Sequence, residues 1–163
     1  MDKQIFIVGA GTYGAAIGEL SELCGYELVG FYDNDLSKAG KSILGKPVIG
    51  SLDFEKDISA KVNYAVAIGN NVVRVSMAKE IIKNGGTIPW LIHPKAEISK
   101  YARLGSGCII HALTYIWTKA EIGDFSIISP HVVIAHHTKL GEGCFISTGC
   151  SIGAGINIQE RVF

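Results

Sequence analysis

The residues best able to do chemistry lie in "ISPHVVIAHHTKLG", residues 128–141, which carries His131, His136 and His137 in a chain with only five histidines. Imidazole changes charge near neutrality, so these rings could form a general base with a helper, a metal set, or solvated surface. A second candidate is "GAGTYG", where Gly9, Gly11 and Gly14 follow an apolar run and open a helical pattern. Glycines at that spacing allow a tight turn and aim backbone N–H groups at a phosphate, although a tight turn also needs glycine with nothing bound.

The elements around these residues fall into two regimes. "QIFIVGA" reads as a strand, "YGAAIGELSELCG" as a helix ending at Gly25, and "YELVGFYD" as a strand, which together predict a parallel βαβ unit. "VNYAVAIG" is a further buried strand, "NVVRVSMAKEIIKNG" a helix with Val72, Val75, Ala78, Ile81 and Ile82 apolar, and "TIPWLIH" a last strand. Residues 1–93 are therefore expected to form a small α/β domain.

Beyond His93 and Pro94 the period becomes six. Ile98, Leu104, Ile110, Ile116, Ile122, Ile128, Ile134, Leu140, Ile146, Ile152 and Ile158 are spaced by six, and the residue two before each is small in every case but Ile156. Helices and alternating strands do not repeat at six. A triangular parallel β-helix does, with one hexapeptide per face, an aliphatic side chain inside and a small one near each bend, and residues 94–163 are assigned to it. Gly105, Gly123 and Gly141 mark the 18-residue coil. Eleven hexapeptides amount to fewer than four coils, and "INIQERVF" stops in mid-repeat, so either a truncated form or a partner covering the open end is expected. In this register His131 belongs to one hexapeptide and His136 with His137 to the next. Cys108, Cys144 and Cys150 fall on the small inward position, and Cys24 is expected to face the core of its helix, so the cysteines read as packing residues. Trp117, beside Ile116 on the outside, reads as a subunit contact.

Composition narrows the partners. Fifteen Lys and Arg balance fifteen Asp and Glu, which argues against nucleic acid and against an anionic membrane and favours a small molecule. The opening apolar run is too short for a signal peptide or a membrane span, and a cytoplasmic protein is expected.

"GAGTYG", "GFYDND", "AIGNN", "LIHPKAEIS" and "IAHHTKLGEG", in that order, resemble the bacterial sugar acyltransferases of the NeuD/PglD type. The resemblance implies a Rossmann-like α/β domain followed by a left-handed parallel β-helix, lacking the C-terminal coils that such enzymes usually have. It further implies a homotrimer that moves an acetyl group from acetyl-CoA to an amino or hydroxyl group of a nucleotide-linked sugar or sialic acid, with no metal. His136, five residues before Gly141, would be the general base, and His137 stands where many relatives carry an acidic residue. Gly9, Gly11, Thr12 and Tyr13 would meet the pyrophosphate, Asp33 and Asn34 the base or ribose, and Gly69 and Asn70 the same cleft. Gly143 and Phe145 would begin the acetyl-CoA site. The alternative is a non-catalytic nucleotide-sugar-binding oligomer. A zinc enzyme like γ-carbonic anhydrase is a weaker reading, because His93 and His111 do not supply the third ligand at the spacing required. A nicotinamide oxidoreductase fits poorly with so short an α/β half.

Overall fold

A computed structural model describes residues 3–58, 60 and 62–163, and the chain divides into two compact units, Met1–Pro89 and Trp90–Phe163. The first unit is built on β1 (Gln4–Val8), whose Ile5, Ile7 and Val8 are buried. Helix α1 (Thr12–Leu23) follows and packs Ile17 and Leu20 inward, ending where Gly25 takes a φ of +82°. Next come β2 (Glu27–Tyr32), a hairpin of β3 (Ser42–Ile43) and β4 (Lys46–Gly50), β5 (Asn63–Val66) and α2 (Asn71–Lys83). The strand order is β3-β4-β2-β1-β5, parallel except for β3. Since β2 and β5 flank β1 on opposite sides, the winding reverses at β1, and a crevice opens beyond the carboxyl ends of β1 and β5.

Three details depart from the sequence reading. The β3–β4 hairpin was not anticipated: its turn sets both Leu44 and Gly45 at positive φ, and only the glycine advertises that geometry. In α2, Val75, Ala78 and Ile81 are buried as expected, whereas Val72 and Ile82 are exposed and Arg74 is buried instead. The Arg74 guanidinium donates to the Ile68 carbonyl at 3.0 Å, which offsets part of its desolvation. The "TIPWLIH" strand is divided. Thr87 bridges Asn63 in the first unit, while Leu91–Ile92 pairs with Ile109–Ile110 and so begins the second. The boundary thus precedes the expected one, and Ile92 is a further member of the six-residue ladder.

The second unit is a left-handed parallel β-helix of twelve two-residue strands, from Leu91–Ile92 to Asn157–Ile158, in three four-stranded sheets. Twelve strands on three faces make four coils rather than the fewer than four expected. The first face holds Ile109–Ile110, Ile127–Ile128 and Phe145–Ile146 above Leu91–Ile92. The second holds Glu97–Ile98, Tyr115–Ile116, Val133–Ile134 and Ser151–Ile152, and the third Arg103–Leu104, Glu121–Ile122, Lys139–Leu140 and Asn157–Ile158. Ile110, Ile116, Ile128 and Ile134 are fully buried on the axis, each contributing roughly 1.5–3 kcal/mol.

The small position does more than save space. Thr114, Ser126 and Thr138 hydroxyls donate to the carbonyls of Ser129, Gly141 and Gly153, and the Cys108 and Cys144 thiols approach those of Gly123 and Gln159. At these five corners a side-chain donor therefore ties a coil to its neighbour, whereas Ala102, Ala120 and Val132 fill the same position by packing alone. Burial pushes the Cys108 thiol up to about 12, in keeping with a packing role. Cys150 is exposed in the last coil and Cys24 only half-buried, so neither is the core residue expected. The third residue after an interior aliphatic turns the corner: Leu113, Lys119, Phe125, His131 and His137 all have φ between +56° and +61°. Gly123 lies so close to the Gly141 carbonyl carbon that a Cβ has no room, which explains the 18-residue glycine interval.

Candidate functional site

His136 and His137 occupy the corner between the second and third faces, after Val133–Ile134 and before Lys139–Leu140. The corner is held from both sides. The His137 N–H donates to the Thr118 carbonyl at 3.3 Å, and the His136 carbonyl accepts from Gly155 N–H at 3.0 Å. His136 is half-buried and His137 exposed. Their rings stand perpendicular, with Nδ1 of one 3.0 Å from Nδ1 of the other. In such a contact one nitrogen carries the hydrogen and the other is bare, so the tautomers of the two rings are linked. When His136 is the donor, its Nε2 keeps the lone pair that a base needs. Trp117 lies against His136 with ring centroids 5.9 Å apart, and Tyr115 meets Trp117 edge-on at 5.5 Å. Trp117 thus backs the candidate base, a contact hidden in sequence because the two residues belong to neighbouring coils.

His131 has the same repeat phase and the same left-handed backbone, with φ of +60°, yet sits at the corner between the first and second faces. It is exposed and does not join the His136–His137 pair. His93 and His111 lie on the first face. His93 Nδ1 accepts from the Lys95 N–H at 2.9 Å, and burial together with neighbouring His93 holds the His111 imidazole below its ordinary range. Among the described residues no three His, Cys, Asp or Glu side chains come together as a metal set. Gly143 turns the corner between the third and first faces, and Phe145, on the first face, stacks on Phe163 at 4.9 Å. Within one chain, then, the residues expected to begin the acetyl-CoA site do not share a corner with His136.

In the first unit the structure brings Gly9, Asp33 and Asn34 around a cavity of about 150 Å³, with Tyr32, Leu52 and Ile68. A side chain at Gly9 would meet the Ala67 carbonyl, and one at Gly14 the Gly9 carbonyl, so the fold itself requires both glycines. Gly11 differs. Its backbone is extended, nothing lies near its missing Cβ, and no side chain caps the helix that Thr12 begins. Packing leaves glycine at 11 unexplained, and a helix N-terminus with no side-chain cap is a place that a phosphate can approach. Gly69 is similarly open, but Asn70 is already used: its side chain accepts from Val73 N–H at 3.0 Å and caps α2. Tyr13 is half-buried. Burial pushes its phenol well up, against the opposing pull of Arg74. Asp33 is a latch, since its carboxylate accepts from Ala10 N–H and Lys38 Nζ at 2.8 Å each and from Asp35 N–H at 2.9 Å. Burial alone would raise this carboxyl, but the Lys38 hydrogen bond and the two N–H groups outweigh it and hold it below the usual range.

Residues 4–81 match the PglD N-terminal domain family, and residues 101–136 and 119–154 match the bacterial transferase hexapeptide (six repeats) family. The chain is 28% identical over 164 residues to GDP-perosamine N-acetyltransferase of Escherichia coli O157:H7, spanning 96% of this chain and 73% of that protein. It is 31% identical over 113 residues to UDP-N-acetylbacillosamine N-acetyltransferase of Bacillus subtilis (strain 168), spanning 68% of this chain and 52% of the relative. Among solved structures, PerB from Caulobacter crescentus in complex with CoA and GDP-perosamine superposes with a TM-score of 0.89 at 28% identity, over 97% of this chain and 75% of that one. No helix among the described residues is long and apolar enough to cross a membrane. With one unit matching each family and relatives that match across both, the chain belongs to the NeuD/PglD type of hexapeptide-repeat sugar acetyltransferases.

Proposed function

We propose that this protein transfers an acetyl group from acetyl-CoA to an amino group of a nucleotide-linked amino sugar, with His136 as general base. The observation that carries this reading is the 3.0 Å contact between Nδ1 of His136 and Nδ1 of His137, backed by Trp117. His137 takes the place of an acidic neighbour: a bare Nδ1 accepts from His136 and leaves Nε2 of His136 as the proton acceptor. The sugar amine attacks the thioester carbonyl and Nε2 removes its proton. The tetrahedral adduct then collapses, the C–S bond breaks, and the same proton passes to the departing thiolate. Such proton transfer is worth about 10²–10⁴-fold in rate.

For the nucleotide, the first unit offers Gly9, Gly11 and Thr12 to the pyrophosphate and Asp33 and Asn34 to the nucleoside. Gly11, a glycine that packing leaves unexplained, supports this reading. Asn70 caps α2, and Tyr13 stands in the first turn of α1 beside Gly11. The coenzyme residues Gly143 and Phe145 serve His136 of a neighbouring copy in a homotrimer, since within one chain neither shares the His136 corner. A cytoplasmic location gives access to acetyl-CoA.

The test is direct. Incubated with acetyl-CoA and either a UDP- or a GDP-linked amino sugar, the protein should yield the N-acetylated sugar by mass, while His136→Asn should keep nucleotide-sugar binding and lose turnover at least 100-fold. An unmodified sugar, or full turnover in His136→Asn, would refute the reading.

A further inference from the structure

Trp117 is larger than its place in the repeat requires. The residue directly after an interior aliphatic falls on the outer side of the coil, and on the second face that column reads Ser99, Trp117, Ala135 and Gly153. Three of the four are small, so the face itself has no need of an indole. Nor does burial account for it, since Trp117 is 39% exposed.

What the indole meets is the candidate base. Ala135, its neighbour in the next coil, presents only a methyl group, and the indole lies against the following residue, His136, with ring centroids 5.9 Å apart and planes inclined at 36°. Trp117 is itself held in place. Its backbone N–H donates to the Ile134 carbonyl at 2.9 Å, its carbonyl accepts from Ala120 N–H at 3.2 Å, and Tyr115 meets its ring edge-on at 5.5 Å. The next residue, Thr118, accepts from His137 N–H at 3.3 Å. Two consecutive residues of one coil thus hold the ring of His136 and the backbone of His137.

The contact between the imidazoles is a weak device alone. His137 is exposed, so water competes for its Nδ1. An imidazole also turns broadly about its last side-chain bond, with two favoured orientations half a turn apart that exchange Nδ1 with a carbon. An indole against one face limits the tilt of the ring, and a hydrogen bond at Nδ1 distinguishes the two orientations that remain. Neither contact does both.

We infer that Trp117 is a positioning residue: its indole sets the plane of the His136 ring, which lets His137 select the nitrogen that carries the hydrogen. The effect on turnover rests on the acetyl-transfer reading, whereas the effect on the ring does not.

Nitrogen-15 NMR of the neutral histidine rings in the intact protein tests this with Trp117→Leu and Trp117→Phe. His136 should carry its hydrogen on Nδ1 in the wild type, lose that preference in Trp117→Leu and keep it in Trp117→Phe, while His131 stays unchanged throughout. A leucine variant that keeps the wild-type tautomer would overturn the role, and so would one in which His131 changes as much as His136, because the damage would then be to the scaffold. Sedimentation velocity gives the competing account: dissociation of the leucine variant with the His136 tautomer intact would make Trp117 a subunit contact only. In turnover with acetyl-CoA and a UDP- or GDP-linked amino sugar, Trp117→Leu should lower kcat about tenfold at unchanged KM, and Trp117→Phe should restore it. A raised KM for the sugar at full kcat would mean that Trp117 touches substrate instead of orienting the base. Absence of acetyl transfer by the wild-type protein would reject the proposed function, yet the tautomer comparison would still decide the role of Trp117.

Discussion

His131 and His137 occupy equivalent positions on neighbouring corners of the β-helix, three residues after Ile128 and Ile134, with φ of +60° and +61°. Their backbones are interchangeable and their surroundings are not. His137 has His136 at its Nδ1, with Trp117 behind that ring and Lys119 at the same corner one coil away, whereas His131 is exposed on an edge with no other histidine adjoining it in sequence. A repeat scaffold fixes where a side chain stands, and the neighbours one coil away decide what it can do.

Removing the base should have the largest effect: His136→Ala should lower kcat by about 10²–10⁴-fold, or about 2.7–5.5 kcal/mol in the barrier, with the Tm unchanged. Turnover within a few-fold of wild type would place the chemistry elsewhere. Next comes the scaffold that holds both corners. Gly123→Ala pushes a Cβ into the Gly141 backbone, and chemical denaturation should show a loss of about 2–4 kcal/mol. Full stability there would mean that the coils can separate more easily than their register indicates.

Loss of His137 should be milder. His137→Ala frees the His136 ring and should reduce kcat about tenfold, while His137→Asp, which can again accept from Nδ1, should recover most of it. The first face offers a contrast in pH. The folded state holds His111 below its ordinary range, so the unfolded chain takes up a proton more readily as pH falls below about 6.5, and stability should drop from there downward. His111→Asn should flatten that part of the curve when unfolding is followed from pH 7 to 5, and an unchanged slope would assign the acid sensitivity to other groups. The smallest effect concerns the corners alone. His131→Gly and His137→Gly should each change stability by a similar amount, within about 1 kcal/mol, because both relieve the same left-handed backbone. Only the second should touch activity.

Much of this was readable in the sequence. The six-residue ladder gave the β-helix, and the strand–glycine–helix order gave the parallel α/β unit, because both patterns are local and repeat. What escaped depends on neighbours that a linear reading does not display. Ile92 was assigned to the wrong unit because "TIPWLIH" is equally apolar on either side of the boundary. Arg74 was missed as a buried residue because its desolvation is offset by a carbonyl six residues earlier in the chain. Asn70, expected to line the ligand cleft, also caps its helix, a use that the Asn preceding a helix could have suggested. The neighbours of His137 in adjacent coils were legible in principle: Tyr101, Lys119 and His137 recur every 18 residues, as do Arg103, Glu121 and Lys139. Gly143 and Phe145 follow from the resemblance alone, because a triangular coil carries neighbouring hexapeptides to different faces and a single chain does not show what the next copy brings to His136.

Proton removal by His136 depends on the linkage between the two imidazoles, and nitrogen-15 NMR of the histidine rings in their neutral form measures it directly. His136 should carry its hydrogen on Nδ1 and leave Nε2 bare, and His137→Ala should abolish that preference. His136 protonated on Nε2, or showing the same tautomer mixture as His131, would contradict the assignment of His136 as a base oriented by His137.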